Sequence, residues 1–192
     1  MTVAPVRGVI PVRVLTRRFG ILRVPDDLVW RWPVPLPGFP RSREFVLIDD
    51  ENVRPFLWLQ SLNEPEVAFV IIDAGLVAGG YDPALPEAEL ACLELLPGHR
   101  PLLCAIVTVP SDPRQAWVNL RAPLALNVSA RLGRQIVLSD DRYSFRHPLW
   151  ESGQRVGESC GQGWSDSQGG RLLCWSLPVN STRASLSATR SA

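Results

Sequence analysis

The chain has no lysine: its twenty basic residues are all Arg. Histidine occurs twice, tyrosine twice and methionine once. A catalytic centre needs a base within reach of a nucleophile or metal, and two His leave little to build one from. There is no H-E-x-x-H and no P-loop. Asp140-Asp141, near Tyr143, is the one carboxylate pair to weigh, and adjacent acids on a turn are usually solvated. The four cysteines, Cys92, Cys104, Cys160 and Cys174, form no C-x-x-C and have no closely spaced His, which argues against zinc. No cofactor and no metal are therefore expected, and no enzymatic activity. Long apolar runs are also missing. No stretch approaches the roughly 18 residues that span a bilayer, and Met1 to Gly20 has no apolar h-region before a small-residue cleavage site. The expectation is a cytoplasmic protein with reduced thiols and no membrane contact.

What is present is unevenly charged. The formal net charge is only +1. From Met1 to Arg43, eight Arg face Asp26 and Asp27; from Glu44 to Gly98, eleven acids face Arg54 alone; from His99 to Trp150, seven Arg face three acids. An acidic middle lies between basic ends.

That middle holds the clearest structure signal. Phe45 to Ile48, Phe56 to Leu59 and Val67 to Ile72 are short apolar runs rich in β-branched and aromatic residues, separated by Asp49-Asp50-Glu51-Asn52 and Asn63-Glu64-Pro65-Glu66. Such runs between turn-forming loops predict an antiparallel meander. Leu28 to Trp32, Leu102 to Val109, Trp117 to Leu120, Pro123 to Val128 and Gln135 to Leu138 read as further strands, the last two joined by a turn at Arg131-Leu132-Gly133-Arg134. Pro33 to Pro40 carries four prolines and predicts a stiff connector. Ala74 to Tyr81 predicts a flexible loop, and Pro86 to Leu96, stopped by Pro97-Gly98, the single helix. The class is all-β: a small, partly open β-barrel of short antiparallel strands with one short helix. Residues 1–15 are expected as a flexible extension, although Val12 to Leu15 and Ile21 to Val24 also read as two strands around Arg17-Arg18-Phe19-Gly20. Residues 16–150 form the barrel body, and the Gly/Ser/Arg-rich 151–192 a disordered tail.

An ordered set of short motifs runs through the body. It comprises Phe19-Gly20 with Val24-Pro25, Leu36-Pro37-Gly38-Phe39, and Pro55-Phe56-Leu57-Trp58-Leu59-Gln60-Ser61 with Pro65 and Ala68-Phe69-Val70. Tyr81 with Leu85-Pro86 follows, then Asn119-Leu120-Arg121-Ala122-Pro123-Leu124 with Asn127, and Gln135-Ile136-Val137-Leu138 with Tyr143 and His147-Pro148-Leu149. In this order the chain resembles the FliW family of flagellar assembly factors. The resemblance implies a β-barrel-like fold, no catalysis, and two mutually exclusive partners, flagellin and the translational regulator CsrA. FliW proteins bind flagellin as a chaperone before export. When free they antagonise CsrA, a repressor of flagellin mRNA, so that flagellin synthesis follows export. Two departures stand out: Pro35 replaces the family's usual Gly before Leu-Pro-Gly-Phe, and Gly75, Ala78, Gly79 and Gly80 replace a usually Pro- and aromatic-bearing loop.

CsrA is basic, so an acidic surface from Asp49, Asp50, Glu51, Glu64, Glu66 and Asp73 is the expected docking site, with a solvated rim as the plain alternative. Leu76 and Tyr81 are candidate apolar anchors for a flagellin helix, or else pack back over the barrel mouth. Arg121 is a candidate partner for the acidic loops. A nucleic-acid-binding β-barrel is the competing class, with Trp30, Trp32 and Trp117 as a stacking platform, though the acidic middle opposes it. A monomer is expected for the unbound protein.

Overall fold

In the central strands every second side chain is drawn inward. The structure, a computed structural model, describes residues 11–150. In β4 (Glu44–Asp49), β5 (Leu57–Ser61) and β6 (Ala68–Asp73), Phe45, Leu47, Leu57, Leu59, Phe69 and Ile71 pack into one core. Alternation along a strand sends neighbouring residues to opposite faces, so Val46, Ile48, Val70 and Ile72 point away from that core. The three strands form the antiparallel meander expected from their runs, with Phe45 opposite Ser61 and Leu59 opposite Phe69.

The sheet continues until it meets itself. β6 pairs with β7 (Leu102–Thr108), and β4 with β3 (Trp30–Arg31). β3 runs parallel to β10 (Leu132–Gln135), which pairs with β9 (Leu124–Asn127). β9 then pairs with the first half of β7, at Leu102 to Cys104, and the circle of seven strands is closed. The small β-barrel expected from the sequence is thus present, and between β3 and β10 it closes through one residue pair, Arg31 opposite Leu132. The second half of β7, at Val107 and Thr108, instead pairs with β8 (Trp117–Val118), which carries β11 (His147–Pro148). One strand thus has its far edge divided between barrel closure and an outer flap.

Three outer layers cover the barrel wall. β1 (Val12–Thr16) and β2 (Gly20–Val24) form a separate hairpin, which takes in the end of the stretch read as an extension. Its Val14, Leu22 and Val24 seal Val46, Val29 and Leu62. The flap's Val118, Leu120 and Leu149 cover Ile72, Ala105 and Val107. Leu93 packs on Ala125, Ile136 and Leu138.

Local details differ from expectation in three places. The helix expected over Pro86 to Leu96 is α2 (Glu87–Leu90) followed by a single 3-10 turn at Ala91 to Leu93. It stops where Glu94 turns left-handed at φ 52°, and Asn127 Nδ2 donates to the carbonyls of Leu93 and Glu94. Within the loop expected at 74–81 lies a one-turn helix, α1 (Ala74–Val77), because the Asp73 carboxylate accepts from the Gly75 amide at 2.8 Å. Finally, the β9–β10 turn falls three residues early, at 128–131. Asn127 Oδ1 accepts from the Ser129 and Ala130 amides and makes the turn, while Gly133 lies inside β10 under the Trp32 indole.

Candidate surface for protein partners

A meander puts successive turns at opposite ends of the sheet. The β4–β5 loop carries Asp49, Asp50 and Glu51, and β6 ends at Asp73 on that same side, two strands away. The β5–β6 loop, with Glu64 and Glu66, lies at the other end, about 15 Å off along β5. The six acids therefore do not form one face.

At the first end the carboxylates have unequal freedom. Asp49 receives Nε and Nη2 of Arg54, the latter at 2.6 Å, a bidentate fork that neutralises much of its charge. Asp50 caps the 3-10 turn Glu51–Val53 by accepting from the Asn52 amide, and that bond holds its carboxyl below the usual range. Glu51 is solvated, its side chain 85% exposed, with Arg54 Nη2 at 3.9 Å. A shallow cleft of about 160 Å³ opens here between Asp49, Arg54, Pro55 and Leu57. Asp73 is half-buried as the cap of α1, and loss of water raises its carboxyl above the ordinary value. Leu76, one turn further, is exposed. This rim carries charge, an apolar side chain and a cleft on adjoining elements.

The opposite end is different. Glu64 is buried and accepts from Ser42 Oγ at 2.6 Å and Arg41 Nη2 at 2.5 Å, with Ser61 Oγ bonded to Ser42 and to the Glu64 amide. It is a structural acid that ties the β5–β6 turn to the residues before β4. Only Glu66 of this pair is exposed.

Tyr81 is half-buried. Its hydroxyl donates to the Leu120 carbonyl at 2.5 Å and its ring meets Tyr143 edge-on, 4.7 Å between centroids. It is packed back against the flap, which leaves Leu76 as the apolar group on the rim. Arg121 pairs with Asp141, and its guanidinium lies over the Phe145 ring 5.3 Å from the centroid, far in sequence from the acidic loops it was expected to meet. Trp30 and Trp32 are 2% and 1% exposed inside the barrel, and Trp117 lies beneath Arg146, so the three indoles make no stacking platform.

Among the described residues no cluster of His, Cys, Asp or Glu is placed to hold a metal ion, and no helix is long and apolar enough to cross a membrane. Gly157-Glu158-Ser159-Cys160-Gly161 has the spacing of a nucleophile elbow, a motif that requires a strand-to-helix turn. It falls, like the tail as a whole and residues 1–10, outside the described residues.

Residues 13–149 match the family model described as FliW protein. The chain is 38% identical to a flagellar assembly factor FliW of Geotalea uraniireducens over 75% of its own length and 88% of the relative's. It is 39% identical to that of Geobacter sulfurreducens, over 75% and 90%. A crystal structure of the flagellar assembly factor FliW superposes with a TM-score of 0.68 at 30% identity, covering 74% of this chain and 99% of the other.

Proposed function

Because the chain belongs to the FliW family, we propose that it acts in the bacterial cytoplasm as a flagellar assembly factor that chaperones flagellin and, when free of it, antagonises CsrA. The observation that carries this reading is the rim at the β4–β5 end, where Asp49 lines a cleft, Glu51 is solvated, and Leu76 on the helix after β6 is exposed. A basic regulator is steered by such carboxylates, and an amphipathic helix finds an apolar contact beside them. Partners that compete for one protein each lower the other's apparent affinity, which couples flagellin synthesis to its export. The protein works by binding alone and needs no cofactor.

Calorimetric titration with CsrA from the same organism, repeated after saturation with flagellin, tests this. The expected result is saturable CsrA binding that flagellin abolishes and that E51K weakens. Flagellin binding without CsrA binding would reduce the protein to an export chaperone. Binding of neither would overturn the proposal.

A further inference from the structure

The outer face of the β1–β2 hairpin has a composition opposite to that of the rim. Register places Leu15 directly across from Ile21 and Arg13 directly across from Arg23. Val14, Leu22 and Val24 fill the inner face, so these four point outward, with Leu15 67% and Ile21 59% exposed. The turn adds Arg17 and Arg18. Between Val12 and Val24 there is no acid.

Like charges facing each other across a strand pair destabilise it, and an aliphatic pair left in water forgoes the stabilisation of burial. Among the described residues no ion pair takes Arg13, Arg17, Arg18 or Arg23. At the turn, Asp50 is close enough to feel the charge of Arg18, and Glu66 lies across a cleft of about 340 Å³. At the other end Asp26 and Asp27 follow β2, and Asp26 is paired with Arg31. The platform itself is fixed. The Arg17 amide donates to the Pro65 carbonyl at 3.2 Å, and Arg18 lies over the Trp58 ring 3.8 Å from its centroid.

We propose that this hairpin face is a second docking surface, for a protein segment that carries apolar side chains flanked by carboxylates. Charge complementarity sets the sign, and the Leu15–Ile21 pair supplies the apolar contact. A nucleic acid fits less well. Strand-tolerant binding needs exposed aromatic faces, whereas Phe19 is turned edge-on to Trp58 and Arg18 already covers the Trp58 ring. An anionic bilayer would find two aliphatic side chains and no exposed aromatic among them. The proposal does not rest on the CsrA reading and survives if that reading fails.

The test is fluorescence anisotropy of the full chain with a labelled synthetic peptide that alternates Leu and Glu, beside a Leu and Lys control. Single-stranded RNA and phosphatidylglycerol vesicles serve as competing probes. R13E with R23E, and separately L15S with I21S, should each weaken the acidic peptide by about tenfold or more while leaving the thermal transition in place. Rising salt should weaken it further, and the Lys peptide should not bind. Failure of the acidic peptide to bind, or binding by either double variant as tight as by the native chain, would overturn the proposal. Hairpin-dependent retention of RNA or vesicles without peptide binding would overturn it too, and would assign the face to that ligand instead.

Discussion

A Cβ on Gly133 would fall 2.4 Å from Cζ2 of Trp32. Trp32 is 1% exposed and its ring is also held against Phe45, centroids 4.8 Å apart, so it has nowhere to retreat. Gly133→Ala should cost about 1–3 kcal/mol by overpacking, which lowers the melting temperature by roughly 2–10 °C in a chain of this size. Gly79→Ala, where an added Cβ meets nothing within 4 Å, is the control and should change little. Thermal unfolding followed by circular dichroism reads both.

Glu64 links stability to acid. The hydrogen bond from Ser42, and then Arg41, holds its carboxyl below the ordinary 4.5. A carboxylate whose folded pKa is depressed stabilises the fold above the unfolded value, and that contribution is lost as pH falls through the folded one. The melting temperature should therefore drop on acidification below 4.5 more steeply in the native chain than in Glu64→Gln. Parallel curves for the two proteins would contradict this assignment.

Asp73 has the opposite sign. Burial raises its carboxyl above 3.8, so the stabilisation linked to its proton is present below 3.8 and is lost as pH rises through the folded value. Asp73→Asn keeps an acceptor for the Gly75 amide and removes the buried charge, so at neutral pH it should be at least as stable as the native chain. Asp73→Ala removes the cap and should cost about 0.5–2 kcal/mol. Denaturant titration at pH 7 separates the two variants.

Tyr81→Phe leaves the Leu120 carbonyl without the hydroxyl that donates to it. The loss should be about 1 kcal/mol of stability. Affinity for flagellin should not change, whereas L76S should weaken it. A matched loss of affinity in Tyr81→Phe would return this residue to the binding surface.

The meander was legible because its signal is local: alternating apolar side chains and acid-rich turns lie within thirty residues of each other. Gly133 misled for a local reason as well. A Gly between Arg and Leu residues reads as a turn, and the cause of its presence is an indole a hundred residues earlier in the chain. Glu64 sits beside Pro65 in what looks like a solvated loop, and only the return of Arg41 and Ser42 to its side makes it a buried acid. Tyr81 is fixed by Leu120 and Tyr143 in the same long-range manner. Periodicity carries which face a residue takes on its own strand. It carries nothing about which distant segment will cover it, and that covering decides which of the six acids remain free for a partner.

The divided edge of β7 has a consequence for self-association. A ladder that returns to its own first strand has no growing end, so the seven barrel strands offer another copy no terminal strand to extend. Among the described residues the terminal strands are β11, two residues long and carrying Pro148, and the two strands of the β1–β2 hairpin, where every outward position beyond the Leu15–Ile21 pair is arginine. Proline lacks the amide that a new strand would use, and stacked copies of the hairpin would bring arginine against arginine. Pairing of copies edge to edge is thereby disfavoured at both places.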